Sequence, residues 1–238
     1  MARDQVDAAG GSAEPVIAPL PSRQSLTDDV YEAIKTLIMD YVIAPQARLS
    51  IDQLARDLRV SSTPIREALI RLESEGLARK EPLRGYSTTP ILTPEEVKEL
   101  FEFRTVIEPW AAARAAQRRD AASLARLQAE VDSVDTIPTG ETYQAYRQLA
   151  NHDERFHRQI AELSGNDQLL QAFVRTHCHL HLFRQRYSTR LGSATIAEHQ
   201  DIVAAIAAGD AELARAAMLT HLRRAQQRLA TGPDAEQG

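Results

Sequence analysis

The sequence predicts a mainly α-helical chain, with an N-terminal winged helix-turn-helix followed by an all-helical antiparallel bundle. Three observations carry that expectation. Apolar residues recur at helical spacing in three short segments before residue 75, and two short extended pieces around a glycine follow them. From Thr93 onward the chain is rich in Ala, Leu, Arg and Glu, with few β-branched residues.

Residues 1–21, rich in Ala, Gly and Pro and without a period, are expected to form a flexible arm. Val30, Ile34, Leu37 and Ile38 then fall on one stripe of a first helix, which Pro45 is expected to close. Ser50, with Gln53 three residues on, forms a capping-box arrangement at the head of a second helix lined by Leu54, Ala55 and Leu58. The stretch "VSSTPIREALIRLESEGL" supplies a third. Ser61 is its N-cap, and Pro64 sits in the first turn, where a missing N–H costs nothing. Ile65, Ala68, Leu69 and Leu72 form its buried stripe, and Gly76 ends it. "LARKEPLRGYSTTP" reads as two extended pieces around a turn at 82–85. Three helices and a small hairpin within 22–90 is the layout of a winged helix-turn-helix.

Thr93 as N-cap, Pro94 at the first helical position and Glu96 at the third open the second half. Helices are expected near 94–117, 120–134, 141–163, 166–190, 194–208 and 210–230. Six helices with short connections imply an antiparallel bundle over 91–230, followed by a flexible tail at 231–238.

Composition narrows the function classes. Across 238 residues, 28 Lys and Arg stand against 33 Asp and Glu, which argues against a protein that coats nucleic acid with a broad basic surface. A small DNA-reading face on an acidic body remains open. Cys178 is the only cysteine, so no intrachain disulfide is possible and a reducing cytoplasm is the expected location. No run approaches a membrane span, and no basic-then-apolar leader opens the chain, so no membrane partner is expected.

In a helix-turn-helix the first turn of the second helix enters the major groove, where short polar side chains let the helix lie close. Ser61, Ser62, Thr63 and Arg66 occupy that turn, and Arg66 can grip a guanine edge or a phosphate. Arg84, at the hairpin tip beside Gly85, is placed for the backbone or minor groove. The plainer reading is a well-capped helix in a protein-binding module. Lys and Arg only balance Asp and Glu over 22–90, which implies modest affinity per module and a need for dimerisation.

All seven histidines lie beyond residue 150. Asp153 and His157 are one helical turn apart, and His199 and His221 sit in two further helices. The four could converge on a divalent cation inside a bundle, or remain a surface hydrogen bond and two unrelated helical histidines. His177, His179 and His181 are read as cavity-lining or surface residues, with only His177 and His181 sharing a helix face.

"LARDLRVSSTPIREALIRLESEGLARKEPLRGY" resembles the DNA-binding domain of the GntR family of bacterial transcription regulators. Two departures stand out: Ser62 where the family carries arginine, and Pro45–Gln46 where it carries Pro-Gly. Residues 93–229 resemble the FCD effector domain of the FadR-type branch. The likeness lies in "LFEFRTVIEPWAAARAA", "DERFHRQIAELSGN" and "EHQDIVAAIAAGDAELARAAMLTHL". That resemblance implies a metal held by Asp153, His157, His199 and His221, with zinc the first candidate and nickel or manganese compatible. Six helices would place the chain near the VanR-like subgroup. The resemblance also implies a small carboxylate effector anchored by Arg104, for which the alternative is an i, i+4 salt bridge to Glu108. Arg184 and Arg186 are further residues for the cavity rim.

The function so implied is a ligand-responsive transcription regulator, a repressor acting as a homodimer on double-stranded operator DNA. The alternatives are a metal-dependent hydrolytic enzyme and a protein-binding adaptor. Against the enzyme, the sequence holds no nucleophile motif, no phosphate-cradling glycine loop and no second acidic residue clearly placed as a general base. Sequence-specific DNA binding would separate the regulator from the adaptor.

Overall fold

The computed structural model describes residues 26–134, 142–185 and 191–231. The expectations for the 1–21 arm, the break at 136–140, Arg186 and the tail beyond 231 lie outside them.

Val30, Tyr31, Ile34 and Ile38 are buried along one stripe, and that stripe fixes helix α1, Leu26–Met39. The helix ends well before Pro45, because the chain turns at Tyr41 in the left-handed region (φ +57°). Gln46, where the resembling family carries glycine, also sits at positive φ (+62°). A side chain therefore occupies a backbone conformation that favours Gly. Arg48–Leu49 forms β1. Helix α2, Ile51–Leu58, starts where the Ser50 hydroxyl accepts the Gln53 N–H at 3.3 Å.

Helix α3, Ser62–Ser74, starts from Ser61 and buries Ile65, Ala68, Leu69 and Leu72, the expected stripe. Gly76 follows at φ +74°. Strands β2, Ala78–Glu81, and β3, Gly85–Thr88, form the hairpin, with Glu81 opposite Gly85. The sheet has three strands, in the order β1-β3-β2, where the sequence suggested a hairpin alone. A two-residue strand carries no period to read.

The second half begins with α4, Pro94–Arg118, whose capping box is complete: Thr93 Oγ1 accepts the Glu96 N–H and Glu96 Oε2 accepts the Thr93 N–H. The helix continues through Pro109 without one of its ladder hydrogen bonds. Then come α5, Ala121–Asp132, α6, Tyr143–Leu163, α7, Asp167–Arg175, α8, Cys178–Gln185, α9, Leu191–Ala208, and α10, Ala211–Thr231. The single helix expected over 166–190 is thus two helices. The Thr176 hydroxyl caps back onto the Phe173 carbonyl, and His177 takes φ +43° between α7 and α8. With seven helices among the described residues of the second half, the support for a VanR-like placement falls away.

Ala111, Ala112, Ala115 and Ala116 let α4 pack closely against the bundle, in one cluster with Phe156, Ile160, Ile202, Ile206, Met218 and Leu222. The other main cluster joins the two halves, because Tyr143 and Tyr146 of α6 pack into the winged-helix core. Arg184 is buried at this junction and away from the cavity rim, which corrects its expected placement. It donates to Thr89 Oγ1 at 2.8 Å and to the Thr89 carbonyl at 2.9 Å. Its own carbonyl accepts the Tyr41 hydroxyl. No helix among the described residues is long and apolar enough to cross a membrane.

Candidate metal centre

Helix α6 carries Asp153 and His157 one turn apart, α9 carries His199 and α10 carries His221. Each offers a ligand atom, and the four atoms lie within 4.8 Å of one another. The three imidazoles are oriented through their Nδ1 atoms. That of His157 lies 2.5 Å from Glu108 Oε2 and that of His221 lies 2.8 Å from Glu198 Oε2. His199 Nδ1 meets His152 Nε2 at 2.9 Å, and His152 Nδ1 in turn meets the Glu130 carbonyl at 2.9 Å. A carboxylate or carbonyl accepts only from N–H, so these contacts assign the proton to Nδ1 of His157, His221 and His152. His152 then presents a bare Nε2, which takes the Nδ1 proton of His199. The Nε2 lone pairs of all three ligand candidates are left for the centre of the cluster.

There the Nε2 atoms of His157 and His199 are buried and have no hydrogen-bond partner. They lie 3.8 Å and 3.4 Å from Asp153 Oδ1. Two orphaned imidazole nitrogens facing a carboxylate form a site that a cation would complete, and the residues fit a divalent metal. Three nitrogens and one oxygen suit zinc, nickel or manganese alike.

Guanidinium groups neutralise the surrounding carboxylates. Arg104 holds Glu108 at 2.5 Å, Arg228 holds Glu198 at 2.8 and 2.9 Å, and Arg155 holds Glu130 with two bonds of 2.9 Å. Burial pushes the Glu108 carboxyl up, but Arg104 and His157 outweigh it and bring it down to about 2. Glu198 also falls to about 2, where His221 and Arg228 overcome desolvation. Burial holds His179, His199 and His221 below the ordinary imidazole range, the neutral form a metal requires.

A cavity of about 70 Å³ adjoins the cluster, with Arg104, Asp153 and His221 in its wall. Arg104 makes the salt bridge to Glu108 that is the alternative reading of its position, and it also lines the cavity. His179 is buried, with Nε2 at 3.0 Å from Arg104 Nη2 and 3.5 Å from Asp153 Oδ2. His177 precedes α8, and His181 packs against Gly76 of the winged helix. Sequence reasoning missed Glu108, Glu198, Glu130, His152 and His179 as partners of the site. Local signals existed for some: Glu198 and His152 each adjoin a candidate ligand, and Glu108 is four residues from Arg104.

In the winged helix Ser61, Thr63 and Arg66 are exposed at the start of α3, and Ser62 is half-buried. Ser61 adopts N-cap geometry, yet its hydroxyl makes no cap hydrogen bond, which leaves it available to a partner. Arg84 and Gly85 are exposed at the hairpin tip, beside a fully exposed Leu83.

A winged helix that presents hydroxyls and an arginine, packed onto a helical domain with a buried ligand set and a small cavity, defines the class of a DNA-binding regulator with an effector domain. The chain belongs to the GntR family of bacterial regulatory proteins, which matches residues 26–87, and its bundle is an FCD domain, matched over 99–224. It is a transcription regulator of that family. It is 31% identical over 209 residues to an uncharacterized HTH-type transcriptional regulator from an unstable DNA locus of Streptomyces ambofaciens, covering 82% of this chain and 81% of that protein. To the HTH-type transcriptional regulator LutR of Bacillus subtilis it is 29% identical, covering 73% of this chain and 86% of LutR. The solved structure of E. coli McbR/YncC, at 24% identity, shares the fold with a TM-score of 0.61 over 88% of this chain and 99% of that one.

Proposed function

We propose that the protein is a homodimeric, metal-containing repressor released from its operator by a small organic acid. One observation carries this reading. The orphaned Nε2 atoms of His157 and His199 converge with Asp153 and His221 beside a cavity, in a domain packed directly on the winged helix. A divalent cation on those four residues, when bound, supplies positive charge and open positions for anion oxygens. The chain does the rest. Glu108, Glu198 and His152 fix the three imidazoles, and Arg104 holds Glu108 while forming part of the cavity wall.

On the DNA side, Ser61, Ser62 and Thr63 let α3 lie close to the groove, Arg66 makes the directional contact, and Arg84 with Gly85 touches the flanking backbone. Two copies read the halves of a palindrome, since one module with balanced charge binds too weakly alone. An acid that binds the two arrangements of these modules unequally shifts operator affinity.

The test is fluorescence anisotropy of the protein on DNA from upstream of its own and adjacent genes, with excess competitor DNA and near-physiological salt. Saturable, competitor-resistant binding is expected. Arg66→Ala should weaken it at least tenfold with zinc content unchanged. Full affinity in that variant would remove Arg66 from the reading face. Absence of zinc in the purified wild type, after zinc loading, would remove the metal from the proposal.

A further inference from the structure

We infer that the effector is a monocarboxylic acid with a small apolar body. The inference rests on the reading of this cavity as an acid-binding site and deepens it. Its first support is charge balance. Arg104 and Arg228, the guanidinium groups in the cavity wall among the described residues, are each matched by a carboxylate: Arg104 by Glu108 and Arg228, with two bonds, by Glu198. Asp153 is the remaining acid in the wall among the described residues. Against a dication with neutral imidazoles it leaves one positive charge uncompensated. One carboxylate restores neutrality, and a second would have no counter-charge among the described residues.

The second support is the chemistry of the remaining wall. Phe101, Leu149, Leu182, Phe183, Ala225 and Leu229 form it, together with Thr195. A second carboxylate reaching into those side chains would leave water without an ion partner, which is among the costliest substitutions a buried site can meet. An aliphatic chain or a single ring would gain from the same burial. The volume of about 70 Å³ sets the size. It is well below the roughly 300–1,000 Å³ of sites that hold drug-sized ligands, so the body is short.

Isothermal titration calorimetry on the full-length, zinc-loaded protein, dialysed free of excess zinc, tests this with matched pairs. Butanoate, pentanoate and hexanoate are compared with succinate, glutarate and adipate, which have the same chain lengths. The best monoacid is expected to bind at least tenfold tighter than its diacid partner. It should also lower operator affinity in the anisotropy assay. A diacid that binds as tightly as its partner, or tighter, overturns the inference but leaves an acid-responsive regulator standing. If no acid of either series binds protein that retains stoichiometric zinc and operator affinity, the underlying acid-effector reading falls as well. Leu229→Arg adds a cation to the apolar wall on the partly exposed side of α10. It should raise diacid affinity at least tenfold. No gain in a folded, zinc-loaded variant would show that the apolar wall does not meet the far end of the acid, and would also overturn the inference.

Discussion

His152 shows how one side chain outside the ligand set can govern it. It is fully buried, and it stands between the Nδ1 of His199 and the Glu130 carbonyl. Glu130 in turn is clamped by Arg155 at the surface of α6. Removing the imidazole leaves the His199 Nδ1–H with no acceptor and frees that ring to turn its Nε2 away from the cluster. Loss of such outer partners commonly costs about 10- to 100-fold in metal affinity. His152→Ala is therefore expected to weaken zinc binding by that factor in a competition titration with a chromophoric chelator, with the helical circular dichroism signal retained. Wild-type affinity in the variant would show that packing alone orients His199.

At the scale of elements, the short helix α8 joins two environments. His179, Leu182 and Phe183 face the metal cluster and cavity, while Arg184 and Gln185 bond to Thr89 and Leu92 at the junction with the winged helix. Arg184→Ala removes the donors to Thr89 and leaves its carbonyl short of a partner. A loss of about 2 kcal/mol in urea unfolding is expected. The effector should also lower operator affinity by a smaller factor in this variant, with zinc content unchanged. An unaltered response would place the coupling elsewhere. The sequence announced some elements and not others, and the division follows the range of the forces involved. The start of α4 was legible because the Thr93–Glu96 box acts within three residues, and that of α3 because Ser61 and Pro64 are residue types suited to a helix's N-cap and first turn. The break between α7 and α8 was not, since neither Thr176 nor His177 is a usual helix breaker and nothing in the residue type of His177 announces its positive φ. Of the site, Asp153 and His157 could be paired by their spacing. The roles of Glu108, Glu198 and His152 depend on helices far apart in sequence meeting in space.

At the scale of the whole molecule, three buried imidazoles and the half-buried one of His181 make stability depend on pH. Burial, reinforced by the Arg184 guanidinium, lowers His181 to about 4, and burial also depresses His179, His199 and His221. In the unfolded chain all four return to about 6.5. Below that pH the unfolded state binds protons that the folded state refuses, so stability is complete above about pH 7 and falls as pH drops through 6.5. His181 alone contributes a loss on the order of 2 kcal/mol between pH 7 and 5. Glu108 and Glu198 act lower on the scale. Their folded values of about 2 lie below the ordinary carboxylate range, so their stabilisation holds down to about pH 4.5 and disappears only between there and 2. Scanning calorimetry on metal-free protein should therefore show Tm falling by several degrees between pH 7.5 and 5, before any carboxylate titrates. Zinc should raise Tm at pH 7.5 and lose that effect toward pH 5, because protons and the metal compete for the same Nε2 atoms. A Tm that stays level from pH 7.5 to 5 without metal would mean that burial does not hold these imidazoles below their value in the unfolded chain.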